Sequence, residues 1–546
     1  MAKKSNLSPL PPPPGSRTSL GKGEFSEKAP FPATKERPGE GLGRGSQPSA
    51  IVVGGGIGGL GSACLLAKAG YQVDLYEKNE ILGGSAGIFS AEGFTFDMGP
   101  SWYLMPDVFE NFFSLLGEKV EDHLELVKLG PSYQIFFKDR GKKVSLYSDL
   151  ARDIPTLEAI EPGCGVALRD YLERSKFQYE IALAGFMYKN YDTVFDFFNK
   201  QTMLQGPKLH VFEKMNKYVE RFFSTDELQK IMEYQLVFLG SSPYDTPALY
   251  NIMSHIDFNM GVYYPMGGIH EIPKAFVRIG EKYGARFHTS SPVAKILTEK
   301  GKAVGVRLAS GEEKRADLVI CNATIRHAET LLEPQERTFS EDYWEKRTLA
   351  PSAFILYLGV EGKIPSLTHH NLIFAPDWKS GFAEIFDNPK WPTDPSLYVC
   401  APSVTDPNVA PEGCENLFVL VPMAPGMKAT ESELAAYADK TLALMEKEMD
   451  IPNLRQRIKY QRIFWAKDFI ERYNNDRGTA LGLAHTMNQT AILRPNNISK
   501  KVKNLYYAGA STNPGIGMPI CLISAELAYK RIIGDRTAGH LTELTP

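Results

Sequence analysis

The chain has 546 residues, a formal net charge of −3 and 23% charged residues, so it is too long for one simple core and lacks the basic excess of a nucleic-acid binder. Its six cysteines are scattered without a C-x-x-C pair, which points to a reducing compartment and away from a zinc site or a disulfide framework. No secretory h-region and no apolar run long enough to span a bilayer is found.

Residues 1–48 are rich in Pro, Gly and Ser, with a run from Pro11 to Pro14, and are expected to form a disordered tail. Glu24, Glu27, Glu36 and Glu40 argue against a transit peptide. The densest signal follows, from Ser49 to Asp97. Ala50 to Val53 read as a buried strand, and Gly54, Gly56 and Gly59 complete a G-x-G-x-x-G turn. Gly54 permits the tight turn, Gly56 lets a pyrophosphate approach the backbone, and Gly59 lets the following helix pack closely. That helix runs from Leu60 to Ala69, ends at Gly70, and turns its free N–H groups and positive dipole end toward phosphate. Val73 to Tyr76 form a second strand, with Glu77 at its end, about 20 residues after the glycines, where a ribose hydroxyl is gripped. Gly58, Lys78 and the pair Gly83-Gly84 complete the candidate cradle, and Asp97-x-Gly99-Pro100 follows.

From Met105-Pro106-Asp107 a helix begins with a broad apolar face, and Gly130 to Leu146 reads as a hairpin turning at Asp139-Arg140-Gly141. Asp149 to Leu239 is helical in pattern. Its aromatic stretch, Phe186, Met187, Tyr188, Tyr191, Val194, Phe195, Phe197 and Phe198, is interspersed with Lys189, Lys200, Lys208, Lys214 and Lys217. Two readings stand: core with solvated lysines, or an amphipathic surface lying in a membrane interface. Gly261 to Ala323 returns to the nucleotide-binding pattern, with a turn at Gly267-Gly268, a helix, a strand, a β-hairpin run from Ser291 and a buried strand at Leu318 to Cys321. In the mixed region that follows, Phe354 to Leu358, Leu397 to Ala401 and Leu417 to Val421 read as strands and Glu431 to Glu448 as a helix. His369-His370 reads as a surface pair, since no spaced third ligand accompanies it. Finally, Leu505 to Ala508 form a strand, and a Gly/Pro-rich loop feeds a helix starting near Pro519.

The order of these motifs resembles the bacterial and fungal type of phytoene desaturase, a carotenoid-desaturating flavoprotein family. The blocks that carry the resemblance are GGGIGGLGSACLLAKAG, GFTFDMGPSWYLMP, YYPMGGIHEIPKAF, SLYVCAPSVTDPNVAPEGCENLFVLVP and NLYYAGASTNPGIGMP, within residues 51–533. Two positions depart from the family pattern. Ser85 stands where an Arg often follows the second glycine pair, and Asn513 stands where the C-terminal motif often has His; Asn donates hydrogen bonds but does not titrate.

The resemblance implies an α/β fold: a two-dinucleotide-fold flavoprotein with a discontinuous FAD domain (49–100, 262–330 and 496–535), a helical substrate- and membrane-facing region (101–261) and a mixed β/α substrate domain (331–495). It implies FAD held by Gly54, Gly56, Gly58, Gly59, Glu77, Lys78, Gly83, Gly84, Val293, Gly509, Gly517 and Met518, with the Val293 backbone against the adenine. No metal is expected and no catalytic base is assigned. The implied substrate is a polyene hydrocarbon, phytoene, desaturated stepwise to a conjugated product such as lycopene. Implied partners are a lipid surface on the cytoplasmic side, to which the protein binds peripherally, and oxygen or a quinone as electron acceptor. A ketolase, an isomerase, a later-step or squalene-type desaturase and a flavin amine oxidase share most of these motifs.

Overall fold

The computed structural model describes residues 47–193, 196, 209–237 and 239–545. Residues 1–46 of the expected tail, and Val194, Phe195, Phe197, Phe198, Lys200 and Lys208 of the aromatic stretch, lie outside the described residues.

The expected βαβ unit forms from strand Ser49–Val53, helix Ile57–Lys68 and strand Gln72–Tyr76. The strands enter a five-stranded parallel sheet in the order Leu505–Tyr507, Leu318–Cys321, Ser49–Val53, Gln72–Tyr76, Arg286–His288. Strands from four distant stretches thus share one sheet, as the discontinuous α/β class requires. Helix Ile57–Lys68 is buried from Ile57 to Ala67 because both of its faces are covered, by Glu271–Lys282 and by Met518–Ile533. Its small residues allow this: a Cβ on Gly61 would stand 3.3 Å from the Ala525 Cβ. An antiparallel meander, Val293–Glu299, Lys302–Leu308 and Glu313–Arg315, packs beside the parallel sheet.

A second, seven-stranded sheet runs in the order Ile458–Phe464, Ser352–Glu361, Cys414–Met423, Leu397–Cys400, His370–Phe374, Tyr133–Phe137, Lys142–Leu146. Its pairs are antiparallel except that Tyr133–Phe137 lies parallel to His370–Phe374. Hairpin 133–146 therefore belongs to the same sheet as strands from 352–464, and the sequence division that set 101–261 apart from 331–495 does not follow it. Hydrophobic periodicity reports how a strand is buried, not which distant strand it meets.

Alternation along Ser352–Glu361 divides the two faces of this sheet. Phe354, Leu356 and Leu358 meet Leu434, Leu442 and Met445 of helix Glu431–Glu448, whereas Ala353, Ile355 and Tyr357 face inward with Leu372, Phe374, Tyr398 and Phe418. Helices Cys164–Ala182, Met215–Val219 and Asp226–Glu233 close the far side of that inner core. Of the described aromatics of the helical stretch, Tyr188 and Phe223 are buried, Phe186, Tyr191 and Phe222 are half-buried, and Phe212 is exposed. Lys214 and Lys217 are exposed and paired with Asp245 and Glu220. Among the described residues no helix is long and apolar enough to cross a membrane.

Candidate functional site: a nucleotide cradle opening into an apolar chamber

The first crossover builds a backbone cradle. Gly54 has φ +96° and donates its N–H to Tyr76 O at 2.8 Å, closing the turn. A Cβ on Gly59 would lie 2.0 Å from Gly54 O, so only glycine lets this helix begin so close to the strand. The second glycine pair crosses the first loop: Gly83 donates to Gly55 O at 2.7 Å, and a Cβ on Gly84 would stand 3.0 Å from the Gly56 Cα. Glu77, 5% exposed, spans the arrangement. Its Oε2 accepts the Gly55 N–H at 2.7 Å, and its Oε1 accepts both N–H donors of Asn79 at 2.8 Å. Oε2, with one bond, retains acceptor capacity for a ribose hydroxyl. The ammonium of Lys78 lies along the cavity edge and donates to Glu471 O at 2.7 Å and Asn474 Oδ1 at 3.0 Å, tethering the loop after helix Ala466–Tyr473.

A single cavity of about 1,400 Å³ is lined by every glycine and side chain assigned to cofactor binding except Gly59 and Gly509, which lie behind it. Val293 lines it with Tyr76, Glu77 and His327, and Gly517 and Met518 line it where helix Met518–Ile533 starts with Pro519 in its first turn. Much of the remaining lining is apolar, including Trp102, Ile355, Leu372, Phe374, Phe382 and Phe418. The volume exceeds the roughly 300–1,000 Å³ of an ordinary single-ligand pocket, leaving room for a dinucleotide and a second, hydrophobic molecule. The residues fit FAD. Gly54, Gly56, Gly58, Gly83 and Gly84 wall the near end with bare backbone, and the unpaired N–H groups at the start of helix Ile57–Lys68 point an anion-binding terminus at it.

Residues 57–533 match the flavin containing amine oxidoreductase family. A carotenoid 3,4-desaturase of Haloarcula japonica is 48% identical over 486 residues, covering 89% of this chain and 98% of the relative. A zeta-carotene-forming phytoene desaturase of Myxococcus xanthus is 37% identical, covering 88% and 93%. The chain belongs to the flavin-containing amine oxidoreductases, in their carotenoid desaturase branch. An oxidoreductase from Methanosarcina mazei shares the fold with a TM-score of 0.57 at 18% identity, covering 87% of this chain and 98% of that one. The resemblance drawn from the sequence blocks and the FAD expectation both agree with this membership.

Three residues that sequence reasoning left unassigned organise this flavoprotein's cavity. Asn322, at the end of strand Leu318–Cys321, donates from Nδ2 to Gly54 O at 3.4 Å and crowds the Cβ positions of Gly56, Gly58, Gly59 and Gly509. Gly509, φ +100°, is kept in place by a 3.0 Å bond from its N–H to Ser524 Oγ. Arg494, 3% exposed, donates to Ala510 O at 2.7 Å and Thr512 O at 3.1 Å and so anchors the loop ahead of Asn513; burial lowers its pKa to about 10. His485 accepts the Ile516 N–H on Nε2 at 3.3 Å, so its Nδ1 carries the proton and meets the Tyr250 hydroxyl, which in turn reaches Thr490 Oγ1 at 2.5 Å. Burial, with the Arg494 charge behind it, holds His485 neutral. The signal for Asn322 was its place directly after a parallel strand; His485 and Arg494 carried none.

The reading of His369-His370 as a surface pair is corrected. Both are buried, because the strand they open lies inside the seven-stranded sheet, with neighbours on either side. A third potential ligand accompanies them after all. It is Cys400, from the antiparallel neighbour, which sequence spacing does not reveal.

Proposed function

We propose that this protein is an FAD-dependent desaturase of a long carotenoid hydrocarbon, taking phytoene through successive desaturations to a conjugated product such as lycopene. The observation that carries the reading is the continuity of one cavity from a backbone phosphate cradle into a chamber walled by Trp102, Leu372, Phe374, Phe382 and Phe418. A hydrocarbon offers no polar handle, so its affinity comes from buried apolar area, at about 25 cal/mol per Å². Bound FAD supplies the two-electron oxidant. The chain's own residues position and shield the reaction. Gly54, Gly56, Gly58, Gly83 and Gly84 hold the diphosphate, and the N-terminus of helix Met518–Ile533 faces developing negative charge. His485, its proton on Nδ1, fixes the Ile516 backbone without presenting a charge to the chamber. No titratable side chain is assigned as base; a delocalised polyene cation is acidic enough for a weak acceptor or water.

A second reading has its own support. The 48% identity to the Haloarcula 3,4-desaturase exceeds the 37% identity to the Myxococcus phytoene desaturase, which favours a substrate that already carries a conjugated polyene. Incubation with phytoene, and separately with lycopene, in the presence of FAD and oxygen or a quinone, followed by chromatography, decides between them. Consumption of phytoene supports the first reading; added double bonds on lycopene alone support the second. An oxygenated product would overturn both.

The chamber's mouth supports peripheral attachment on the cytoplasmic side of a membrane. Phe212, Met487 and Leu493 line the cavity yet are 89%, 36% and 52% exposed. An apolar rim around an apolar opening suits a lipid surface, from which the substrate would enter without crossing water. A quinone from the same bilayer, or oxygen, would accept the electrons.

A further inference from the structure

We propose that His369, His370 and Cys400 supply three ligands of a buried site that takes one zinc ion at the back of the chamber wall. The site stands apart from the flavin cradle and does not depend on which carotenoid is the substrate.

Strand register creates the cluster. His370 is paired with Cys400 across the antiparallel ladder of His370–Phe374 and Leu397–Cys400, so their side chains leave the same face as neighbours. Ala401 donates to His369 O at 2.8 Å, extending that ladder by one step and bringing His369 alongside. One ligand atom from each of the three lies within 4.8 Å of the others, and the residues are 3%, 0% and 3% exposed.

The imidazoles are arranged as ligands are. His369 Nδ1 is held by Thr405 Oγ1 at 2.8 Å, and His370 Nδ1 by the Tyr398 hydroxyl at 2.8 Å. Both Nε2 atoms are buried without a hydrogen-bond partner. A metal-bound histidine almost always has its other nitrogen oriented in this way by a second group, which fixes the ring and the tautomer. A buried polar atom left unpaired is otherwise costly, and two of them on residues of one cluster call for an occupant. The Trp102 ring stacks on His370 at 4.3 Å and restrains it further.

The donor set selects the ion. Two imidazole nitrogens and one sulfur suit zinc and exclude the hard, oxygen-seeking magnesium and calcium. Zn–N bonds of about 2.1 Å and a Zn–S bond of about 2.3 Å place tetrahedral donors roughly 3.4–3.6 Å apart, so donors now within 4.8 Å of one another would draw in by at most about 1.4 Å on binding. Binding must displace the Cys400 proton: the S–H bond breaks, the S–Zn bond forms, and one proton is released with no change of oxidation state. The two strands that the ion would join also carry Leu372, Phe374, Leu397 and Tyr398 to the chamber, so the ion would pin that wall.

The test uses the full-length protein, stripped with chelator and titrated with cobalt(II) as a spectroscopic stand-in for zinc. The expected result is one cobalt per chain, a near-ultraviolet thiolate-to-cobalt charge-transfer band, tetrahedral visible bands, and displacement of all of these by zinc. Cys400→Ser should abolish the charge-transfer band. A band that persists in this variant, or no band in the parent protein at millimolar cobalt, overturns the proposal. If Cys400→Ser fails to fold, X-ray absorption of the zinc-loaded parent protein serves instead. A shell of one sulfur and two imidazoles supports the site, and any shell without sulfur overturns it.

Discussion

Glu77 Oε2 accepts the backbone N–H of Gly55 at 2.7 Å. The acid that ends the second strand thus braces the glycine loop it faces, while its other oxygen takes both donors of Asn79. Glu77→Gln keeps one acceptor oxygen and turns an NH₂ toward the remaining donors. Leaving one buried donor of the cradle unpaired costs about 1–3 kcal/mol, and a loss of that size in FAD affinity is about fivefold to 150-fold. Flavin absorbance retained after ultrafiltration measures this, and retention equal to the parent protein would refute it.

Two glycines of the same motif should fail differently. A Cβ on Gly59 would sit 2.0 Å from Gly54 O, a backbone atom, so Gly59→Ala should destabilise the fold by about 1–3 kcal/mol or more. Gly56→Val instead pushes a side chain toward the cavity and Asn322 Nδ2, and should lose flavin while keeping its far-ultraviolet dichroism. Equal melting temperatures for Gly59→Ala and the parent apoprotein would contradict the packing account.

Asp97 accepts the N–H groups of Ile269 and His270 at 2.8 and 3.1 Å, yet burial raises its pKa from 3.8 to about 7. A carboxyl with a folded pKa above its unfolded one takes up a proton on folding. Its favourable contribution is therefore complete below about pH 4 and is lost as pH rises through about 7. Asp97→Asn removes this titration. Its melting temperature should fall less between pH 5 and pH 8 than that of the parent protein, even if its absolute value is lower. Parallel curves in differential scanning fluorimetry would refute the assignment.

Attachment to lipid through the chamber's rim predicts that Phe212→Asp combined with Leu493→Asp weakens binding. Both side chains are exposed, so the fold should tolerate the change. In liposome flotation the double variant should stay at the bottom of the gradient while the parent protein floats. Flotation of both would place the contact elsewhere, and flotation of neither would remove the membrane from the proposal.

Much of the cradle was legible along the chain because its physics is local. A strand of apolar residues, glycines where the backbone turns or is approached, a helix of small residues and an acid one strand later each follow from neighbours a few positions away. The same locality made the hairpin turn at Asp139-Arg140-Gly141, helix Glu431–Glu448 and the helix opening at Pro519 readable. Tertiary structure decided the remainder. It set Asn322 against four glycines of the cradle, His485 beneath Ile516, and hairpin 133–146 into a sheet with strands more than two hundred residues later. It also turned His369-His370 from an apparent surface pair into a buried cluster with Cys400. The physical reason is common to all of these. Periodicity and turn chemistry record how each segment meets water, but the partner that replaces the water comes from strand order and register, which form between segments far apart in the chain.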